Sequence, residues 1–217
     1  MNYPIANRSK LSAFTLIELL TVIAIIGILA GLLLPSISKV RTRAMETKKM
    51  AAYRQYFAAN ALYANDNQGN TCPAKDARGE DMLWQELLSP YLSNDSKYSN
   101  KTEIYIDPFY EAYNPQRAFL TGAGINVKVK LPESNQDNVF WNKERVSEGR
   151  TFKLSQISES GKRIFLGDST NWFINAQKVD TTRHEGGTTG MFVRFDGSVT
   201  YLTQEEAVLA VSDPAKL

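Results

Sequence analysis

The sequence FTLIELLTVIAIIGILAGLLL, at residues 14–34, decides the fold class of this protein. It contains twenty-one residues and a single charged side chain, Glu18. At about 1.5 Å per residue, a helix of this length crosses a hydrocarbon layer of about 30 Å. We therefore predict a membrane-spanning helix at residues 14–34.

Three kinds of N-terminal segment begin with such a stretch: a cleaved secretory signal, an ordinary single-pass anchor, and a segment cut before the apolar run. A secretory signal has an apolar stretch of roughly 7–15 residues and then a small-residue cleavage site. This run is longer and ends in LLLP at residues 32–35. An ordinary anchor gives no reason for Glu18, because an ionised carboxylate costs about 3 kcal/mol near a bilayer centre. Glu18 is therefore a candidate functional residue.

Residues 12–20, SAFTLIELL, resemble the N-terminal signal of type IV prepilins and type II secretion pseudopilins. The resemblance implies that a prepilin peptidase cuts between Ala13 and Phe14 on the cytoplasmic face and then methylates the new N-terminus at Phe14. Glu18 becomes the fifth mature residue, where this family has its glutamate. The family mostly has Gly before the cut, whereas this sequence has Ala13.

The same resemblance implies roles in filament assembly. The N-terminal ammonium of one subunit can be neutralised by the Glu18 carboxylate of a neighbour, which lowers the cost of burying either charge. The alternative is that Glu18 extends to the membrane interface. Gly27, Gly31 and Pro35 fall where such helices carry them, and we interpret this stretch as flexible because these residues weaken a helix.

The charges around the apolar run give a conflicting prediction of topology. The positive-inside rule alone would place the C-terminal side in the cytoplasm, because five basic residues follow the run and only Arg8 and Lys10 precede it. The five are Lys39, Arg41, Arg43, Lys48 and Lys49. The processing motif is longer and more specific than this bias. We therefore predict a single-pass inner-membrane protein with a cytoplasmic N-terminus and a periplasmic C-terminal domain.

The overall composition argues against a nucleic-acid partner and against an intramolecular disulfide. The chain has 25 basic and 23 acidic residues, and Arg8 and Lys10 account for the whole net charge of +2. Without residues 1–13 the charges balance, so we expect no nucleic-acid partner, since such binding depends on neutralising phosphates. The single cysteine, Cys72, can form no intramolecular disulfide.

The pattern beyond Pro35 predicts that the helix continues. Apolar or small residues recur at intervals of three, four and seven, which marks one helical face, and the polar run at 65–70 stops the helix near residue 64. The residues of this face are Ile37, Val40, Ala44, Ala51, Ala58 and Leu62.

The remaining segments predict a short helix and several strands. Residues 81–92 form an amphipathic helix that breaks near Pro90, with Trp84, Leu87 and Leu88 in the core; ligand stacking by Trp84 is the less favoured interpretation. The Asp196-Gly197 dipeptide between alternating apolar residues predicts a hairpin. The predicted strands are 103–106, 125–131, 163–166, 191–195 and 199–202.

We therefore predict an α+β, pilin-like fold: a long N-terminal helix packed on a mainly antiparallel sheet. The predicted domains are a leader (1–13), a transmembrane and assembly helix (14–34), the periplasmic half of the spine helix (35–66) and a globular head (67–217).

His184 and the pair Asp196-Gly197 resemble the C-terminal His…Asp-Gly signature of prepilin-like proteins of planctomycetes. Eleven residues separate the histidine from the aspartate here, where that group usually has nine. His184 is the only histidine and no nucleophile motif accompanies it, so we expect no enzymatic activity. We interpret His184 and Asp196 as hydrogen-bonding residues that order a loop.

We expect no cofactor. Calcium is the one candidate for a bound ion. Asp66 with Asn67, or Asp168 with Asp196, could supply oxygen ligands, although no loop has the dense spacing of a calcium site.

The sequence thus predicts a structural subunit of a type IV pilus-like or type II secretion pseudopilus filament. Its partners would be prepilin peptidase, other pilin or pseudopilin subunits, the inner-membrane assembly platform and the lipid bilayer. The alternative is an extracytoplasmic binding module that uses a pilin-type helix only as an anchor. That alternative would account for the long unassigned segment at residues 70–175.

Overall fold

The computed structural model describes residues 15–75, 83–92, 122–129, 138–139, 153–157, 159–184 and 186–217. The chain divides into two compact units, an N-terminal unit (residues 1–45) and a head unit (residues 46–217). The predicted leader, with the cleavage residues Ala13 and Phe14, and the predicted strand at 103–106 lie outside the described residues. The three boundaries between the four predicted domains stay predictions.

Helix α1 is one continuous element from Leu16 to Asp66. It ends two residues after the predicted end, in a turn where Gln68 and Gly69 take positive φ values of 59° and 84°. The Asn67 side chain and backbone N–H groups both donate to the Tyr63 carbonyl. The predicted long helix and its polar stop are confirmed.

Within the N-terminal unit, the described part of α1 exposes its apolar side chains. Its first half is long enough and apolar enough to cross a membrane, judged by length and composition, and none of that stretch is buried. A Cβ atom at Gly27 or Gly31 would meet nothing within 4 Å. The helix is continuous through both glycines. The flexibility predicted for the stretch from Gly27 to Pro35 stays a prediction.

The strands in the described part of the head unit are β1 (Ala123–Asn126), β2 (Lys128–Val129), β3 (Asn138–Val139), β4 (Ile164–Asp168), β5 (Phe173–Ile174), β6 (Gly190–Arg194) and β7 (Val199–Leu202). Five of them form a sheet in the order β5-β1-β4-β6-β7. The β1–β4, β4–β6 and β6–β7 pairs are antiparallel, and β1–β5 is parallel. Strands β2 and β3 form a separate antiparallel pair. The predicted α+β class with a mainly antiparallel sheet is confirmed.

The predicted hairpin is the turn between β6 and β7. The Asp196 carboxylate accepts from the Ser198 N–H at 2.9 Å and from its hydroxyl at 2.6 Å. Gly197 has φ +82°, a conformation that suits glycine. These contacts fix the turn that joins the two strands.

Both faces of the sheet are covered. Met191 and Val193 pack in a cluster with α1 and α2 (Trp84–Leu92), whereas Phe192, between them, packs in a second cluster with α3 (Gln204–Ser212). The sequence pattern did not predict α3. Its start carries a capping box, in which the Thr203 hydroxyl and the Glu206 carboxylate bind each other's backbone N–H groups.

The apolar face predicted for α1 is not the face that the helix buries in the head. Ala51, Ala58 and Leu62 are exposed in the head unit. The buried face of α1 carries tyrosines and polar residues because these side chains contact polar and aromatic residues of the sheet. The residues of this buried face are Lys49, Ala52, Tyr53, Tyr56, Ala59, Asn60, Tyr63 and Ala64.

Helix α2 (Trp84–Leu92) does not break at Pro90. Pro90 has no N–H to donate to the Glu86 carbonyl, but the Ser89 hydroxyl donates to that oxygen at 2.8 Å. Trp84 lies fully buried against the Tyr56 ring and donates its indole N–H to the Trp172 carbonyl at 2.7 Å. The core position predicted for Trp84 is confirmed.

Candidate functional site

A buried polar cluster joins α1 to the middle of the sheet. Glu46, Lys49 and Tyr53 lie three and four residues apart on α1, so they share one face of the helix. Lys49 and Asp168, at the end of β4, are both fully buried. Asp168 follows four buried residues of the strand, which carries its carboxylate into the interior.

Four groups surround the Asp168 carboxylate. Its Oδ1 lies 2.6 Å from the Lys49 ammonium and accepts from the Tyr53 hydroxyl at 2.6 Å. Its Oδ2 accepts from the Met191 backbone N–H at 2.9 Å and lies 3.2 Å from His184 Nε2. Buried charges are tolerated when they are paired and hydrogen-bonded in this way.

His184 touches both members of the ion pair. Its Nε2 lies 2.9 Å from Lys49 Nζ as well as 3.2 Å from Asp168 Oδ2. Its Nδ1 lies 3.4 Å from Glu46 Oε1, and its ring packs edge-on against Tyr201. Nε2 can accept a hydrogen bond from Lys49 or donate one to Asp168, depending on which nitrogen carries the proton.

Arg183 adds a second buried cation. Its guanidinium binds the Asp180 carboxylate at 2.8 Å and donates to the Ser169 and Gly122 carbonyls. One of its nitrogens lies 3.6 Å from Asp168 Oδ1. Arg183 therefore fixes the loop before His184 against the strand that carries Asp168.

These contacts decide the charge of Asp168. Burial alone would raise the pKa of its carboxyl group, but the Lys49 charge, the His184 hydrogen bond and the Arg183 charge together hold that pKa well below its ordinary value. Asp168 is therefore ionised at neutral pH. The cluster is a compact ion-paired site with hydrogen-bond donors on both carboxylate oxygens.

We expect the head to lose stability in acid because of Asp168. The unfolded carboxyl titrates near pH 3.9 and the folded one lower, so between these values the unfolded chain binds more protons. The ion pair's contribution is present above about pH 4 and is lost as the pH falls through the folded pKa. The free energy of unfolding in urea, compared at pH 7 and pH 3, measures this loss of stability. Asp168→Asn should flatten this dependence; an equal slope in both proteins would contradict the assignment.

In the N-terminal unit, Thr15 and Glu18 together cap the start of α1. Glu18 Oε2 accepts from the Thr15 N–H at 2.9 Å and from the Thr15 hydroxyl at 2.8 Å, and the Glu18 N–H donates to that hydroxyl at 3.3 Å. This is a capping box, which satisfies donors that a helix start leaves unpaired. Glu18 itself remains exposed.

The predicted C-terminal signature does not form one site. His184 binds the Lys49–Asp168 pair, whereas Asp196 and Gly197 form the β6–β7 turn with Ser198. His184 and Asp196 both make hydrogen bonds, but with different partners: Asp168 for the histidine and Ser198 for the aspartate. The resemblance to the planctomycete signature stays a prediction.

The predicted calcium ligands have other partners. Both oxygens of Asp168 are held by the cluster, and Asp66 accepts from the Tyr91 hydroxyl at 3.0 Å. Across the residues that the structure describes, no group of three or more His, Cys, Asp or Glu side chains could hold a metal ion.

Four members of the cluster, Glu46, Lys49, Tyr53 and Arg183, have no site prediction from the sequence, and Asp168 was predicted only as a candidate calcium ligand. Lys49 was counted among the flanking charges of the membrane segment. Two signals in the sequence point to the cluster. Glu46, Lys49 and Tyr53 have helical spacing on a helix that is predicted to pack on a sheet. Asp168 closes the largely apolar run at residues 164–168.

Comparison with known proteins bears on the N-terminus. A family model described as the prokaryotic N-terminal methylation motif matches residues 8–34. This match supports a prepilin-type N-terminal segment, of the kind that is processed and assembled into pili or pseudopili. Searches of curated proteins and of solved structures find no match.

Proposed function

We propose that this protein is a structural subunit of a type IV pilus-like or type II secretion pseudopilus filament. Prepilin peptidase cuts it between Ala13 and Phe14 and methylates Phe14, and residues 14–34 form the assembly helix. The observation that carries this proposal is the methylation motif at residues 8–34, which continues into an exposed apolar helix with Glu18 near its start. Enzymatic turnover has no part in this function.

The proposed topology has a cytoplasmic N-terminus and a periplasmic head, with the inner membrane and its assembly platform as partners. The charge bias around the apolar run opposes this topology, because more basic residues follow the run than precede it. The proposal rests instead on the methylation motif at residues 8–34. In the assembled filament, Glu18 would leave its cap and pair with the N-terminal ammonium of a neighbouring subunit.

A membrane-anchored binding module is the second candidate. It would use the same helix and the same processing, but it would remain a monomer in the bilayer. No described feature of the head favours it over assembly. Crosslinking between α1 helices in cells would separate the two, since only the filament brings them into contact.

The first test is intact mass and N-terminal sequencing of the protein from native membranes. We expect a chain that begins with N-methylated Phe14, since the peptidase that cuts there also methylates. A chain that retains residues 1–13, or that begins after Leu34, would overturn the proposed processing and the filament function with it.

A further inference from the structure

We propose that Lys49 and Asp168 become joined by an intramolecular amide bond in the folded protein. Lys49 Nζ lies 2.6 Å from Asp168 Oδ1, and both side chains are fully buried. The two residues belong to α1 and to the central strand β4. The bond would lock the helix covalently to the sheet, which goes beyond the function proposed above.

The reaction balances without any co-reactant. The lysine nitrogen attacks Asp168 Cγ, a C–N bond forms, and the bond from Cγ to Oδ2 breaks. An ammonium and a carboxylate thus give one amide and one water, and no electrons are exchanged. The Lys49 nitrogen must first lose a proton, and Oδ2 must gain protons to leave as water.

His184 is placed to move these protons. Its Nε2 lies 2.9 Å from the lysine nitrogen and 3.2 Å from Asp168 Oδ2, the atom that leaves. It can accept the proton from one and deliver it to the other. Glu46, 3.4 Å from Nδ1, orients the ring from its other side. His184 and Glu46 therefore have the roles of a proton carrier and its positioning residue.

The other oxygen of Asp168 is held by donors. Tyr53 donates its hydroxyl to Oδ1 at 2.6 Å, and an Arg183 nitrogen lies 3.6 Å away. Negative charge develops on Oδ1 when the amine attacks, and fixed donors stabilise that charge most effectively where water is excluded. Oδ1 becomes the amide oxygen and keeps the Tyr53 hydrogen bond.

Burial favours the bond because it fixes the two groups side by side, and fixed neighbours react far faster than free molecules. The reaction passes through a neutral amine and a neutral acid. The contacts that lower the pKa of Asp168 disfavour that neutral pair, so the ion pair is the starting form. We therefore expect a slow, single reaction that follows folding.

The test is the mass of the full chain purified in detergent from its membranes. We expect a loss of about 18 Da relative to the same chain without the bond, which is one water. After trypsin, residues 49–54 and 164–178 should appear as one branched peptide. Water loss at Asp196-Gly197 would give the same mass change, but its peptide would be linear. A folded protein with two separate, unmodified peptides overturns the proposal.

Variants separate the chemistry from the fold. Asp168→Asn should still form the bond and lose about 17 Da, because ammonia leaves instead of water. Lys49→Arg keeps the positive charge but should show no mass loss. His184→Gln should slow the bond at least tenfold, and Lys48→Arg, at an exposed neighbour, should leave it unchanged. A mass loss that persists in Lys49→Arg would contradict the assignment.

Acid stability provides an independent readout. Once the amide has formed, Asp168 no longer titrates, so the bonded protein should lack the loss of stability below about pH 4 that the ion pair causes. The bonded protein and the Lys49→Arg variant, which keeps the charge but cannot form the amide, would be unfolded in urea at pH 7 and pH 3. An identical acid response in both proteins would contradict a bond at Asp168.

Discussion

Lys49→Met is expected to destabilise the head by about 3–5 kcal/mol, because it leaves the buried Asp168 carboxylate without its closest cation. The methionine side chain fits the apolar part of the lysine site but offers no donor. Urea unfolding of the full chain in detergent, followed by tryptophan fluorescence, measures the free energy of unfolding. Trp84 is buried and reports on the core between α1 and the sheet. Where the amide has formed, its loss adds to the effect.

Two further variants identify the cause of that loss. Lys48→Met removes an exposed charge one residue away and should change the free energy of unfolding by no more than about 0.5 kcal/mol. The double variant Lys49→Met with Asp168→Asn removes both charges and should be less destabilised than the sum of the single changes. Simple additivity would show that the two side chains do not stabilise each other.

Glu18→Gln is expected to reduce filament assembly at least tenfold while leaving α1 capped. Glutamine can accept the same hydrogen bonds from Thr15 as the glutamate does, since either residue completes a capping box. It cannot neutralise the ammonium of a neighbouring subunit. We therefore expect at least a tenfold loss of sheared or crosslinked filament, with the protein still present in the membrane.

Thr15→Val is the matched variant for Glu18. It removes the hydroxyl of the cap but keeps the carboxylate, so it should assemble far better than Glu18→Gln. The membrane level of each variant, measured by immunoblot, shows whether it is inserted and stable. If Glu18→Gln assembled normally and Thr15→Val did not, the role of Glu18 would be the cap of its own helix and not a contact between subunits.

The elements that the sequence predicted well are those set by local signals. The polar run at 65–70 ends α1 within two residues of the prediction, and Asp196-Gly197 gives the β6–β7 turn. Helix α3 was missed although Thr203 and Glu206 form a capping box, because the segment is short and its apolar residues show no strong period. Strand β5 has two residues, too few for any pattern to show.

The cluster could not be predicted because it depends on contacts distant in sequence. Lys49 and Asp168 meet only when α1 packs on β4, and a lone lysine in a basic stretch resembles a solvated charge. The choice of the buried face of α1 failed for the same reason. Counting apolar residues favoured the face with Ala51, Ala58 and Leu62. The face that packs on the sheet instead carries tyrosines and Lys49, whose charge is neutralised by Asp168.

The position of Asp168 in the sheet determines how the head bears mechanical load. Strand β4 lies in the middle of the five-stranded order, with β1 on one side and β6 on the other. Tension applied along the head's part of α1 would reach the centre of the sheet through Lys49 and Tyr53. Detaching the helix would require these short contacts to break together. We expect the head to remain folded while its helix is pulled.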